Sequence, residues 1–298
     1  QDEYKCFFFI ADWHSLTTHP HPGDVTANVR KILSEYLACG IDPEKAAIYV
    51  QSDVKEVLEL YLYLNMNAYL GELQRVTSFK EKARKQPENV NAGLLTYPTL
   101  MAADILIHRA DKVPVGKDQE QNMEMARKFA RRFNTIYGVE FFPEPQSYSF
   151  GGDAIKVPGL DGSGKMGKSE GNAIYLIDDA ATIRKKVMKA VTDSGPTQPN
   201  SEKPEAIANL FTMLKIVSSA DTYDYFNEKY NACEIRYGDL KKQLAEDIVN
   251  FTSPIRERIL AYAADTEYMD KVAREGAEKA RASADKTIRE VRKIIGFN

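Results

Sequence analysis

The chain has 298 residues, of which 43% are hydrophobic and 28% charged, a balance typical of folded globular proteins and unlike that of disordered ones. No apolar run approaches the roughly 20 residues that span a bilayer, and 40 basic against 43 acidic residues give a net charge of -3, so neither a membrane nor DNA is an expected partner. The three cysteines are odd in number and far apart, which predicts reduced thiols, a cytoplasmic location and no structural metal.

The N-terminal part alternates strand-like and helix-like patterns. An apolar run, Cys6 to Asp12, is followed by a helical pattern from Pro22 to Cys39 and by a second apolar run, Ala46 to Gln51. This order predicts parallel strands joined by helical crossovers. Ligands bind at the carboxyl ends of such strands, so His14, which follows the first strand, is a candidate site residue.

The chain then becomes increasingly helical. Helical patterns cover Val54–Lys85, Leu94–His108 and Gln119–Tyr137, with a short strand predicted at Lys112–Val115. Proline and glycine are frequent between residues 141 and 171, and almost everything after Ala180 has helical periodicity. We therefore predict an α/β domain with a parallel sheet over residues 1–178 and an all-α domain over residues 179–298.

One helix carries an unusual apolar and acidic stripe. Tyr97, Met101 and Asp104 are spaced i, i+4 and i+7, so they share one face. They could be two core residues and a surface acid. However, a carboxylate on an apolar stripe needs a polar partner when it is buried, which favours a binding site for a ligand with an N–H or O–H donor.

A glycine-rich loop is the second chemical candidate. The segment from Gly159 to Asn172 contains five glycines and two lysines, a composition suited to binding a polyphosphate but also to a solvated turn. Within it, Lys165-Met166-Gly167-Lys168-Ser169 resembles the KMSKS signature of class I aminoacyl-tRNA synthetases, with Gly167 in place of the first serine. In that family the loop binds ATP, and its second lysine stabilises the leaving pyrophosphate.

Further segments extend the resemblance over essentially the whole chain. In order, they are DWHSLT from Asp12, GELQRVTSFKEK from Gly71, LLTYPTLMAADILIH from Leu94, VPVGKDQ from Val113 and AVTDS from Ala190. Together they resemble bacterial-type tryptophanyl-tRNA synthetases. The resemblance implies a Rossmann-type parallel-sheet catalytic domain, a helical anticodon-binding domain, a homodimer, and L-tryptophan, ATP with Mg²⁺ and tRNA(Trp) as partners.

The resemblance also implies roles for individual residues. Asp104 would accept the indole N–H, Met101 would pack on the ring, and Tyr97 would lie close by. His14 and Gln119 would belong to the amino-acid site, and Val113 and Val115 would line the indole pocket. The ATP site would comprise Gly116, Lys117, Asp118 and Ile155, together with the catalytic loop residues Lys165, Met166, Gly167, Lys168 and Ser169.

Several alternatives stay open on sequence grounds. Lys117 stands where the family usually has an acid, and Asp118 could simply cap the following helix. The basic groups at 80–85 and 127–132 are either solvated helix faces or contacts to tRNA phosphates. The family's His-x-Gly-His-type motif does not occur in this sequence. The family places it about one strand and one helix before Gln1, a stretch of roughly thirty residues, so either the true chain starts earlier or half of the ATP site is missing.

The function expected from these features is ATP-dependent activation of L-tryptophan and its transfer to tRNA(Trp). A tyrosine-specific relative would share the fold and the loop, and a phenol could also donate to Asp104. A non-catalytic, synthetase-like binding protein is a further alternative, because the His-x-Gly-His-type motif is missing and the signature loop is altered.

Overall fold

A computed structural model describes residues 1–148, 157–167 and 170–297. The chain forms two compact units, one of Gln1–Asp153 with Asp265–Asn298 and one of Ala154–Ala264. These divisions differ from the boundary predicted after residue 178: the loop before that residue belongs with the helical unit, and the last helix belongs with the α/β unit.

Two pairs of short parallel strands lie in the first unit. Strand β1 (Cys6–Ile10) pairs with β2 (Ala46–Val50), with Cys6 opposite Ala46 and Ile10 opposite Val50. Strand β3 (Lys112–Pro114) pairs with β4 (Gln146–Tyr148). The predicted parallel α/β class is confirmed. Because β1 and β2 run in register, their carboxyl ends lie side by side.

Helices make up most of the rest of the described chain. In chain order they are α1 (Asp12–Ser15), α2 (Pro22–Ala38), α3 (Glu56–Met66), α4 (Leu70–Leu73), α5 (Thr77–Lys85), α6 (Ala92–Leu106), α7 (Glu120–Tyr137), α8 (Ala180–Met188), α9 (Glu205–Val217), α10 (Ala220–Asn231), α11 (Tyr237–Ala264) and α12 (Thr266–Ile295). The helical pattern predicted over Val54–Lys85 is divided into α3, α4 and α5. Asn91 caps the N-terminus of helix α6, since its side chain accepts a hydrogen bond from the Leu94 amide.

Helix α12 joins the first unit because a small-residue face lets it lie directly on strand β2. Gly276, Ala277, Ala280 and Ala284 are all buried. A Cβ atom on Gly276 would lie 1.8 Å from the carbonyl oxygen of Ile48, so only glycine permits this approach. The hydrophobic core of the unit lies between these elements and helices α3, α6 and α7.

The second unit has a separate helical core. Helix α9 buries Ile207, Leu210, Phe211 and Leu214, which recur at helical spacing, and α8, α10 and α11 supply most of the other side chains of this core. Met166 of the glycine-rich loop also packs against it, which explains why the loop belongs to this unit. Across the described residues of both units, no helix is long and apolar enough to cross a membrane.

Candidate active site

Asp104 is the central residue of the candidate amino-acid site. It lies on α6, only 5% of it is exposed, and both carboxylate oxygens accept hydrogen bonds. His14 Nε2 donates to Oδ2 at 2.9 Å, and Gln51 Nε2 donates to Oδ1 at 2.7 Å. Burial raises the pKa of the Asp104 carboxyl above the usual aspartate range, and the hydrogen bond from His14 acts against that rise.

The two donors come from adjacent strand ends. His14 lies in α1, immediately after β1, and Gln51 begins the turn after β2. Asp12 ties these ends together, because its Oδ1 accepts from the Trp13 and Ser52 amides, each at 3.0 Å. The predicted position of His14 at a strand end is therefore observed. Gln51 was missed by the sequence analysis, although the rule that ligands bind at strand ends points to it.

An aromatic ring and a lysine adjoin this carboxylate. The rings of His14 and Tyr97 have centroids 4.2 Å apart, and Lys82 Nζ lies 3.4 Å from the centroid of the Tyr97 ring. Burial lowers the pKa of the Lys82 ammonium. Lys82 was grouped with the solvated or tRNA-binding lysines of 80–85, but the structure places it in a cation–π contact beside the site.

The apolar residues assigned to the indole pocket lie at the edge of the first unit's core. Met101, Val113 and Val115 pack against that core and keep part of their surface exposed. The i, i+4, i+7 stripe is also observed, since Tyr97, Met101 and Asp104 are all on α6. The structure thus combines apolar side chains with one buried acceptor on the same helix, as an indole requires.

The segment after β3 forms a tight turn. A Cβ on Gly116 would lie 2.7 Å from Asp118 Oδ1, so the Asp118 side chain folds back closely over Gly116. Asp118 does not cap α7, contrary to the local prediction: Gln119 precedes that helix, and no side chain caps it. The Gln119 side chain instead bridges Asp118 Oδ2, at 3.1 Å, and Asn122 Nδ2, at 2.9 Å. The Lys117 side chain lies outside the described part of the structure.

Asn172 organises the glycine-rich loop of the second unit. It is 6% exposed, its Oδ1 accepts from the Gly167 amide at 2.9 Å, and its Nδ2 donates to the Lys165 carbonyl at 3.0 Å and to Asp161 Oδ1 at 2.9 Å. A Cβ on Gly159 would lie 2.1 Å from Asn172 Nδ2, so that glycine makes room for the amide.

Three of the residues predicted for ATP lie outside the described residues: Ile155, Lys168 and Ser169. Lys165, Met166 and Gly167 are described, and their backbone is held by Asn172 and by a hydrogen bond from the Met166 amide to the Val157 carbonyl at 2.9 Å. Asn172 was not singled out by the sequence analysis. Among the described residues, no group of three or more His, Cys, Asp or Glu is placed to hold a metal ion.

Parallel strands with a cluster of polar side chains at their carboxyl ends are typical of α/β proteins that bind a ligand at that edge of the sheet. The family model described as tRNA synthetases class I (W and Y) matches residues 1–253. The chain belongs to this family. The predicted resemblance and the predicted enzyme class, an aminoacyl-tRNA ligase, are confirmed.

Individual relatives lie on the tryptophan side of the family. The tryptophan–tRNA ligase of Porphyromonas gingivalis is 78% identical over 297 residues, covering 100% of this chain and 91% of the relative. That of Listeria monocytogenes is 41% identical over 301 residues, covering 100% of this chain and 89% of the relative.

Solved structures of synthetases are also similar to this chain. The tryptophanyl-tRNA synthetase of Campylobacter jejuni, solved with ADP and tryptophan, has a TM-score of 0.87 at 33% identity and covers 99% of this chain and 91% of its own. The tyrosyl-tRNA synthetase of Aeropyrum pernix, at 21% identity and a TM-score of 0.63, shares the fold.

Proposed function

We propose that the chain is a tryptophan–tRNA ligase, which activates L-tryptophan with ATP and transfers it to tRNA(Trp). The observation that carries the proposal is the Asp104 carboxylate, buried beside Tyr97 and held by His14 and Gln51. Each oxygen of a carboxylate can accept two hydrogen bonds. With one donor already on each oxygen, Asp104 keeps acceptor capacity for the indole N–H. The identity of 78% to a tryptophan–tRNA ligase supports the choice of substrate.

The reaction needs no covalent enzyme intermediate. The tryptophan carboxylate attacks the α-phosphorus of ATP, the bond to the pyrophosphate breaks, and tryptophanyl-adenylate forms. A hydroxyl of the tRNA terminal ribose then attacks the activated carbonyl and releases AMP. Catalysis of the first step consists of alignment and of positive charge near the leaving pyrophosphate.

The chain's own residues have separate tasks in this scheme. Asp104, Tyr97, Met101 and His14 would bind and orient tryptophan, with Gln119, Val113 and Val115 completing the pocket. Gly116 and Asp118 would contact the ATP ribose, Lys117 through its backbone, and Ile155 the adenine. Lys165 and Lys168 would stabilise the leaving pyrophosphate, on the loop that also includes Met166, Gly167 and Ser169.

Mg²⁺ would enter with ATP, because Mg²⁺ usually keeps several waters and binds through substrate phosphates rather than an all-protein cage. The enzyme would act as a homodimer in the cytoplasm, with helices α8 to α11 of the second unit contributing the anticodon-binding surface.

Amino-acid-dependent exchange of pyrophosphate into ATP tests the proposal. The expected result is exchange with tryptophan and little or none with tyrosine. Exchange with tyrosine alone would assign the chain to the tyrosine-specific relatives. Absence of exchange with every amino acid, using a chain that also carries any upstream segment of the gene product, would favour a binding protein without catalysis.

A further inference from the structure

A cavity of about 170 Å³ adjoins His14 in the first unit. Its walls come from α1 and the turn after it, from α3 and from α6, and they include four large apolar side chains, those of Trp13, Leu16, Leu58 and Leu100. The described residues of this lining include neither Asp104 nor any residue assigned to the indole ring. The space, which we call the His14 cavity, therefore lies next to the candidate amino-acid site and is distinct from it.

One buried polar atom beside this cavity is unpartnered. The His14 side chain is only 9% exposed, and its Nε2 donates to Asp104 Oδ2 at 2.9 Å. Its buried Nδ1 has no hydrogen-bond partner among the described residues. A neutral imidazole with its proton on Nε2 has an acceptor at Nδ1, so the group that pairs with this atom is an O–H or N–H donor. Leaving a buried acceptor without such a donor costs free energy.

The hydroxyl and amide groups of the lining are already engaged within the protein. Thr17 Oγ1 donates to the His14 carbonyl at 2.9 Å, and Asn91 Nδ2 donates to the Thr17 carbonyl at 3.0 Å. The Tyr61 and Thr96 hydroxyls share a hydrogen bond of 2.7 Å. The described lining contains no Asp, Glu, Lys or Arg. Apolar walls with one available acceptor are the composition expected of a small-molecule site.

The volume of the His14 cavity fits a single aromatic ring. An engineered apolar cavity of roughly 150 Å³ binds benzene. A buried water needs about two to four polar partners, whereas the buried side chains of this lining offer His14 Nδ1 alone. A charged ligand is disfavoured, because burying an unpaired charge is costly. These properties together select a neutral, one-ring molecule with a single donor, of which phenol is the simplest example.

We propose that the His14 cavity binds a small neutral aromatic molecule with one O–H or N–H donor, and that this ligand strengthens tryptophan binding. The ligand donates to Nδ1 and so fixes the imidazole tautomer that carries its proton on Nε2. That proton is donated to Asp104, so an occupied cavity holds the carboxylate in position for the indole N–H. The coupling is reciprocal, because each ligand changes the affinity of the other by the same factor. Only the coupling, and not the cavity site, rests on the proposed function.

Titration calorimetry with phenol tests the cavity site. The wild-type chain should bind phenol with a Kd of about 1 mM or lower, and Leu100→Phe, whose larger side chain fills the cavity, should bind it at least about tenfold more weakly. Leu58→Trp is a second filling variant, placed at a side chain that is 42% exposed. Leu62→Trp is its matched control, because it makes the same change one turn further along α3, outside the lining.

Circular dichroism establishes that each variant is folded. Absence of phenol binding to the wild type overturns the site, as does equal binding to the wild type and to both filling variants.

Nitrogen NMR of protein labelled at histidine tests the hydrogen bond. The chain has four histidines, so a His14→Asn variant suffices to assign the His14 signals. Phenol should shift the Nδ1 resonance of His14. Toluene, which has the same ring but no donor, should leave that resonance nearly unchanged. An equal shift with both molecules, or no shift with either, refutes donation to Nδ1.

Pyrophosphate exchange tests the coupling. Saturating phenol should lower the KM for tryptophan by at least about fivefold, the lower end of typical coupling between two sites, in the wild type and in Leu62→Trp. It should have no effect in Leu100→Phe, and the KM for ATP should stay nearly constant. An unchanged KM for tryptophan refutes the coupling, and a raised KM would place phenol in the indole pocket and overturn the proposal. If phenol binds as expected but tryptophan supports no exchange, the proposed function fails and the cavity site stands.

Discussion

Replacing Asp104 with asparagine tests the proposed recognition of the indole N–H. The carboxylate accepts from His14 Nε2 at 2.9 Å and from Gln51 Nε2 at 2.7 Å, one donor on each oxygen. An amide has one oxygen and one NH₂ group, so in either orientation one of the two donors faces another donor. The side chain keeps its size but loses its charge and half of its acceptor capacity.

The magnitude follows from the lost charged hydrogen bond. A hydrogen bond to a charged group contributes about 1.5–3 kcal/mol, and each 1.4 kcal/mol is about a factor of ten in affinity. The KM for tryptophan in pyrophosphate exchange should therefore rise roughly 10- to 150-fold, while the KM for ATP changes by less than about twofold. Stability should change little, because removing a buried charge offsets the loss of one hydrogen bond.

The pH dependence gives an independent check. The ionised carboxylate is the acceptor, and burial raises its pKa. Tryptophan binding by the wild type should therefore weaken, as pH falls, at a higher pH than a solvent-exposed aspartate of pKa about 3.9 would cause. The effect on folding has the opposite sign: the raised pKa means that ionised Asp104 costs stability above that pKa, and protonation relieves the cost.

Two results would refute this reasoning. One is a variant whose KM rises for ATP but not for tryptophan, which would move Asp104 out of the amino-acid site. The other is an Asp104→Asn variant that retains the wild-type pH dependence of tryptophan binding. Asp270→Asn is the matched control, since it makes the same chemical change at a side chain that is 64% exposed on α12, and it should leave both KM values unchanged.

Other substitutions test the loop, the packing of α12 and a buried histidine. Asn172→Ala, which removes the side chain that joins Gly167 to Lys165, should raise the KM for ATP more than that for tryptophan. Gly276→Ala should lower the free energy of unfolding, measured by denaturant titration, by about 1–3 kcal/mol or more, because the added Cβ overpacks against Ile48. Gly71→Ala is the control. It should be neutral or stabilising, because the added Cβ would approach only the end of a flexible arginine. Burial lowers the pKa of His108 from 6.5 to about 4. The unfolded chain therefore binds a proton at this residue at a higher pH than the folded chain does. The free energy of unfolding should fall, by up to about 3 kcal/mol, as the pH decreases from about 6.5 to 4. His108→Asn should flatten the unfolding free energy measured between pH 7 and 4.

The site was predictable where it depends on one helix or one strand end. The spacing of Tyr97, Met101 and Asp104 fixes a common face, and a buried acid requires a partner, so the stripe on α6 follows from periodicity and desolvation alone. The place of His14 in the site was predictable because this residue comes directly after the first strand. Gln51 does not follow as directly, because which residue of a turn points inward depends on the turn that the chain adopts after β2.

The placement of Lys82 depended on tertiary packing. A run of lysines near the end of a helix is usually solvated, and the periodicity of residues 80–85 contains no information about what packs beside them. In the structure the Lys82 ammonium lies over the Tyr97 ring. Long basic side chains often bury their stems along apolar surface, so a single lysine of a basic run can belong to a site.

The placement of α12 did leave a signal in the sequence. Gly276, Ala280 and Ala284 recur every four residues, and such a row of small side chains allows close approach to another backbone. The sequence analysis assigned α12 to the all-α domain only because this basic, amphipathic helix follows other helices in the chain. Composition shows how polar each stretch of the chain is. It does not show that a helix distant in sequence packs into the core formed by earlier residues.

Helix α12 also helps to fix the end of helix α6, which carries Asp104. His108 lies one turn further along the chain from Asp104, its Nε2 contacts the Tyr49 hydroxyl of β2 at 2.9 Å, and its Nδ1 contacts Ser283 Oγ of α12 at 3.2 Å. Its ring also stacks on Phe7 of β1, with centroids 4.0 Å apart. The C-terminal end of α6 is thereby fixed by both strands and by α12. A hydrogen bond from the indole N–H to Asp104 needs a donor–acceptor distance of about 2.7–3.2 Å. Changes in α12 that loosen Ser283 should therefore weaken tryptophan binding without touching the substrate.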